Sequence, residues 1–267
     1  MALSIEPGTI YRRELDGTLQ MDYFIYLPKS GIQENRVMVT IHGISRNAEQ
    51  HVKGFAAQAE QHGAALVAPL FPKSQYPRYQ RLGATVHEGR ADFAFDRVLQ
   101  EVRALINIDP VPLKIFGFSG GGQFAHRYAM FYPKRVERLV LGAPGWYTFP
   151  DAERPYPYGL GSSEEWPQLR FTPRHFLGIP SLVLVGENDD IRDDDLNKMR
   201  RIDAIQGLNR VERGERWVQA MNSLARAFQE NTDYRFESVP NATHAYESYL
   251  AHPPFAETVF KFLFDTT

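Results

Sequence analysis

The chain has 267 residues, 43% of them hydrophobic and 23% charged, with a net charge of −2 and no cysteine. That length suits one large α/β unit or two small ones, and the composition is that of an ordinary globular protein. The near-neutral charge gives no pull toward nucleic acid or an anionic membrane. The lack of cysteine removes disulfides, thiolate nucleophiles and zinc–thiolate sites.

Met1 to Arg13 lacks the apolar core of a signal peptide. No segment approaches the roughly 18 apolar residues of a membrane span, so a cytoplasmic location is expected. The first strands are read at Thr9–Leu15 and Met21–Pro28, hairpin-like around Asp16-Gly17. Arg36–Ile41 is a buried strand ending in His42-Gly43, and Ala48–His62 an amphipathic helix closing at Gly63. Ala64–Pro69 is the next strand, and Phe71–Glu88 a long loop. Ala91–Asn107 is a helix with Phe95, Val98, Leu99, Val102 and Leu105 on one face.

Leu113–Phe118 is an apolar strand, followed by a helix from Gln123 to Met130 and a strand at Val136–Leu141. Gly145–Ile179 breaks the alternation and is rich in proline and aromatic residues. Ser181–Val185 is a strand, Glu215–Gln229 a helix, Tyr234–Val239 the last strand and Pro254–Phe264 the closing helix. The clusters Arg200–Arg201 and Arg210–Arg216 are interrupted by Asp203, Glu212 and Glu215, and read as a solvated helix face. There is no repeat, linker or low-complexity tract. Alternating strands and helices imply a mostly parallel sheet of about eight strands covered on both faces, in one domain over residues 1–267.

Between the Leu113–Phe118 strand and its helix lies Gly117-Phe118-Ser119-Gly120-Gly121, a G-x-S-x-G. Chance supplies that pattern in about one chain of this length in ten. Its context is what matters: strand, sharp turn and helix form a nucleophile elbow, which lifts one serine hydroxyl out at the end of a sheet. The flanking glycines remove side chains that would collide in so tight a bend.

A serine hydroxyl needs a base within hydrogen-bond reach, and the base needs a carboxylate to hold its tautomer. On this topology they follow in the order Ser, Asp or Glu, His. His244, just past the last strand, is the base; His252 begins the closing helix and reads as a surface or capping residue. Six acids lie between 187 and 195. Asp189, directly after the Ser181–Val185 strand, is preferred, with Asp190 the first alternate and Glu187 and Asp193 behind them. The others cap a helix or face solvent; the run lacks the spacing and central glycine of a calcium loop. The oxyanion hole would use the backbone N–H of Gly120 and that of Ile44, with Ser45 the next choice. His42 is assigned to supporting its loop, because it precedes the serine.

These pieces resemble the α/β-hydrolase superfamily over residues 20 to 265: His42-Gly43 after a strand, the Gly117–Gly121 elbow, Gly186-Glu187-Asn188-Asp189, and His244. The early His-Gly and short central insertion resemble the polyhydroxybutyrate-depolymerase-like and feruloyl-esterase-like single-domain esterases. Members of those groups are often secreted and disulfide-bearing, whereas this chain has no cysteine. The resemblance implies an α/β-hydrolase fold and acyl-enzyme chemistry at Ser119. An aspartate there would imply a dehalogenase or epoxide hydrolase, and a cysteine a dienelactone hydrolase.

The expected activity is hydrolysis of a small or medium carboxylic ester, with the same triad on an amide or peptide as the alternative and a non-catalytic ligand-binding homologue the third reading. No cofactor or metal is required. The insertion, about 145–179, is too short for a separate lid domain. Its aromatics, Trp146 and Tyr147 first among them, either line an acyl pocket or fill the upper edge of the sheet. Arg46, Arg78, Arg81 and His87 lie on loops at the same end, either to hold a substrate carboxylate or as surface charge. Gln206-Gly207-Leu208-Asn209-Arg210 has no role in the general pattern.

Overall fold

A computed structural model of the chain describes residues 5–15, 21–83, 89–164, 166, 171 and 173–265. Eight strands form one sheet: β1 Ile10–Glu14, β2 Asp22–Tyr26, β3 Val37–Ile41, β4 Ala65–Leu70, β5 Leu113–Phe118, β6 Val136–Gly142, β7 Ser181–Gly186 and β8 Tyr234–Val239. Their order is β1-β2-β4-β3-β5-β6-β7-β8. The pairs β1–β2 and β2–β4 are antiparallel, and the six strands from β4 to β8 run parallel. The interior strands β3 and β7 are buried at every residue, as a parallel sheet covered on both faces requires. The edge strand β8 is buried only at its two ends. The expected turn at Asp16-Gly17, and His87, fall outside the described residues.

The helices are α1 Ala48–His62, α2 Ala91–Ile106, α3 Gly120–Phe131, α4 Pro173–Leu177, α5 Arg200–Gln206, α6 Arg210–Ala227, α7 Tyr246–Leu250 and α8 Pro254–Phe264. Strand alternation sorts them into two layers. Phe116 of β5 meets Phe55 of α1 and Phe255 of α8. Gly117, on the opposite face, lies directly under Gly121 of α3. Phe95 of α2 packs edge-on against Phe124 and Tyr128 of α3, which ties α2 to that second layer. No helix among the described residues is long and apolar enough to cross a membrane.

Two boundaries differ from expectation in ways that matter. Helix α3 begins at Gly120 rather than Gln123, so three glycines are helical. Their poor helix propensity, near 1 kcal/mol each, is outweighed by packing that nothing larger allows: a Cβ on Gly121 would lie 2.0 Å from the Ile41 carbonyl oxygen. Helix α6 begins at Arg210 rather than Glu215. The arginines at its start are no solvated face: Arg210 is 1% exposed and Arg213 fully buried. They occupy the positions three and four residues apart that continue the buried stripe of Trp217, Met221 and Ala225 toward the N-terminus.

Candidate active site

Ser119, Asp189, His244 and the His42 loop all follow the carboxyl ends of parallel strands, where a doubly covered sheet places its ligand crevice. Ser119 joins β5 to α3 with φ 51° and ψ −113°, a strained conformation for a non-glycine residue. The strain is held from both sides. Its N–H donates to the Gly142 carbonyl at 2.6 Å, and its carbonyl accepts from Gln123 N–H at 3.1 Å. A Cβ on Gly117 would sit 2.4 Å from the Gly121 carbonyl oxygen, so only glycine allows the bend to close.

The Ser119 Oγ lies 3.0 Å from His244 Nε2, and His244 Nδ1 lies 2.8 Å from Asp189 Oδ2. The donor sense follows from the partners. The carboxylate accepts, so Nδ1 carries the proton and Nε2 is left to accept from the serine. The His244 ring stacks on Phe118 at 5.5 Å, which fixes its plane. Glu187 holds the His244 loop to the Asp189 turn, its Oε2 accepting Asn241 N–H at 3.1 Å. Asn188 N–H donates to the Ala242 carbonyl at 2.9 Å in the same sense.

Among the acids after β7, only Asp189 reaches His244. It is 2% exposed, whereas Asp190 points to solvent. Asp193 instead meets Arg210 through both oxygens, at 2.7 and 2.9 Å. The same Arg210 donates to Asp189 Oδ1 at 3.0 Å, leaving Oδ2 for His244. His252 lies in the turn between α7 and α8, its carbonyl accepting Phe255 N–H.

The His42–Arg46 loop faces the elbow. A Cβ on Gly43 would lie 3.4 Å from Ser119 Cβ, and one on Gly120 would lie 3.2 Å from Ile44 Cγ2. His42 is fully buried. Its Nε2 accepts Phe71 N–H at 3.0 Å, so its Nδ1 donates to the Gly43 carbonyl at 2.7 Å. Burial pushes the His42 imidazole down to about 4, which keeps it neutral. Tyr79 hydroxyl donates to the His42 carbonyl at 2.8 Å. Arg46, half-buried, donates to the carbonyls of Phe71 and Ile44 at 2.9 and 2.8 Å, so its guanidinium braces this loop. The N–H of Gly120 is one of the donors that the first turn of a helix leaves unpaired, at the positive end of the α3 dipole.

The aromatic insertion is mainly packing. Tyr147 is fully buried and stacks on Trp217 at 5.1 Å, with its backbone N–H and carbonyl both bonded to the Gln206 carboxamide at 2.8 Å. Trp146 is 4% exposed and lies against the guanidinium of Arg127 at 4.2 Å. Arg81 lies 5.3 Å from the same ring. An open cleft of about 350 Å³ adjoins Ser119 and His244 on the other side, lined by Ile44, Asn47, Gln50 and Tyr246.

The residues that sequence reasoning missed are Gln206, Arg210 and Arg213. Arg213 donates to the carbonyls of Gly207, Asn197 and Gly145 and to Asp203, so it pins the 197–207 segment to the start of the insertion. Extending the Trp217 stripe back by four and seven residues lands on Arg213 and Arg210, and that helical register was the available signal.

No protein-family model and no curated sequence matches the chain. Solved structures do. The chain superposes on poly(aspartic acid) hydrolase-1 from Sphingomonas sp. KT-1 with a TM-score of 0.81 at 22% identity, covering 98% of this chain and 100% of that one. It superposes on LpqC, a poly(3-hydroxybutyrate) depolymerase from Bordetella parapertussis, with a TM-score of 0.79 at 24% identity, covering 97% and 90%. A ferulic acid esterase gives a TM-score of 0.63 at 15% identity, covering 94% and 98%. At these identities the likeness defines the fold, which is that of the α/β-hydrolases.

Proposed function

We propose that the chain is a serine hydrolase that cleaves carboxylic esters through an acyl-enzyme intermediate. One observation carries this reading: a relay whose donors and acceptors alternate correctly from Ser119 Oγ through His244 to Asp189, at 3.0 and 2.8 Å. In the proposed reaction His244 Nε2 takes the hydroxyl proton as Ser119 Oγ attacks the ester carbonyl. The amides of Gly120 and Ile44 hold the developing oxyanion. The imidazolium returns its proton to the departing alcohol. Water, deprotonated by the same nitrogen, then attacks the acyl-enzyme and releases the acid and free Ser119. Asp189 holds the tautomer and stabilises the imidazolium.

The ester class is supported by likeness to proteins named as a poly(3-hydroxybutyrate) depolymerase and a ferulic acid esterase. The substrate would be a small-molecule ester, with no cofactor or metal in the reaction. Residues 1–267 would work as one domain, with 145–179 as a short cap. The cysteine-free composition suits a reducing, cytoplasmic setting. A fluorophosphonate probe should label the wild type and not Ser119→Ala; labelling that persists in the variant rejects the assignment.

Likeness to a protein named for hydrolysing poly(aspartic acid), a polyamide, favours the amide reading as the second. Turnover of aminoacyl-nitroanilides faster than p-nitrophenyl esters would select it.

A further inference from the structure

We infer that Arg210 and Asp193 form a charge-balanced clamp on Asp189 that positions the proposed catalytic carboxylate and sets the pH range of the base. The inference rests on the serine-hydrolase reading above. Its basis is a continuous set of contacts. Asp189 presents Oδ2 to His244 and Oδ1 to Arg210 Nη1, so the two oxygens have separate and fixed tasks. Arg210 in turn spends Nη1 and Nη2 on both oxygens of Asp193, a bidentate pair. The side chains of Arg210 and Asp189 are each 1% exposed, and that of Asp193 is 34% exposed. Asp193 is itself anchored, its Oδ1 accepting Leu196 N–H at 2.9 Å.

The charges explain why two acids are needed. A buried arginine alone on Asp189 would cancel the carboxylate, and His244 would face a neutral pair. With Asp193 on the far side, the three groups sum to −1. The clamp then holds Asp189 rigid without removing the negative charge that favours an imidazolium. Burial works against the Asp193 carboxylate, yet hydrogen bonds and charge from Arg210, with His244 beyond, hold it below the usual range.

The other titratable groups near this carboxylate are accounted for. Tyr147, from the loop after β6, and Tyr249, from α7, are both pushed up by burial, with Asp189 adding to the rise. Arg213, one turn along α6, is paired with Asp203, which also binds Arg192. Asp190, Asp194 and Asp195 are exposed, as are Glu187, which accepts Asn241 N–H, and Glu247, which lines the cleft beside His244 and accepts from the Gln50 carboxamide.

The test is the rate of fluorophosphonate labelling of the full-length chain as a function of pH, which needs no knowledge of the natural substrate. Two substitutions should move the acid limb in opposite directions. Arg210→Met removes the cation and should move the limb up. Asp193→Asn leaves the cation uncompensated and should move it down. Each shift should be roughly one and a half pH units, as expected of a unit charge about 8 Å away at an effective dielectric of about 20. Arg210→Lys keeps the charge but loses the fork, so its limb should stay in place while the plateau rate falls several-fold.

Shifts of the same sign, or unmoved limbs with only a lower plateau, would reduce the clamp to a structural strut and overturn the inference. If Arg210→Met does not fold, Asp193→Asn and Arg210→Lys still decide it, because a limb that stays put in the first rejects the charge balance. A wild type that resists labelling at every pH fails the serine-hydrolase reading instead, and the inference with it.

Discussion

Replacing Asp189 with asparagine is isosteric, and the surrounding donors decide what it does. The site has two donors facing the acid: His244 Nδ1–H at 2.8 Å and Arg210 Nη1 at 3.0 Å. A carboxylate satisfies both, but a carboxamide has one acceptor oxygen. Arginine cannot give up its proton, so the amide oxygen turns to Arg210 and the NH2 faces His244. The ring must then accept at Nδ1 and carry its proton on Nε2, which leaves no lone pair for the Ser119 proton. Regaining the working tautomer means flipping the amide and losing a charge-assisted bond to Arg210, at about 2 kcal/mol. The imidazolium also loses an adjacent negative charge, worth about 3 kcal/mol at roughly 5 Å and an effective dielectric near 20. Together these come to ~5 kcal/mol, a fall in kcat/KM of about 10³–10⁴-fold. Hydrolysis of p-nitrophenyl butyrate, alongside thermal melting to confirm folding, measures it. Asp190→Asn, on an exposed side chain, should stay within about twofold of wild type. An Asp189→Asn variant within tenfold of wild type, or an Asp190→Asn variant as impaired as it, would refute this account.

Gly186→Ala should separate activity from fold: its Cβ would meet the Ala242 carbonyl oxygen at 2.3 Å and drive the His244 loop off the Asp189 turn. The expected result is a labelling rate down by at least about 100-fold in protein that still melts cooperatively, since misplacing a group by about 1 Å costs that much. Gly121→Ala, with a Cβ 2.0 Å from the Ile41 carbonyl oxygen, should give little soluble protein, while Gly178→Ala, whose nearest neighbour is 3.6 Å away, should express normally; equal yields would contradict the close-packing argument. Stability should fall on acidification. The His42 imidazole is held near 4 when folded against an ordinary value of 6.5, so the unfolded chain binds the extra proton between those values. Its contribution is complete above pH 6.5 and lost as pH falls toward 4, at most about 3 kcal/mol. His51 and His126, also buried and lowered, act in the same direction. Melting at pH 7 and pH 4.5 tests this, and His42→Gln should show a smaller drop between the two than wild type.

How much of this was readable beforehand depended on how local the signal was. The elbow was legible because Gly117, Ser119 and Gly121 are adjacent in sequence and each answers a steric demand of one turn. The strands were legible for a similar reason: full burial on both faces writes continuous apolar runs such as Val37–Ile41 and Ser181–Val185. The arginines of α6 were not, because residue type and position gave opposite messages. Charge argues for solvent, whereas helical register argues for the core, and register prevailed once partners from distant segments became visible. Arg210 finds Asp189 and Asp193, and Arg213 finds Asp203 and the Gly145 carbonyl. A buried charge is tolerable only when paired, and pairing across about 20 or 70 residues leaves no mark on composition or periodicity. The insertion aromatics show the complementary difficulty. Trp146 and Tyr147 are neighbours of one chemical kind, yet one packs against Arg127 and the other stacks on Trp217. What distinguishes them is the Gln206 carboxamide clasping the Tyr147 backbone. The 200–216 segment therefore governs the site at two points: it secures the Asp189 carboxylate through Arg210 and fixes the loop after β6 through Gln206 and Arg213.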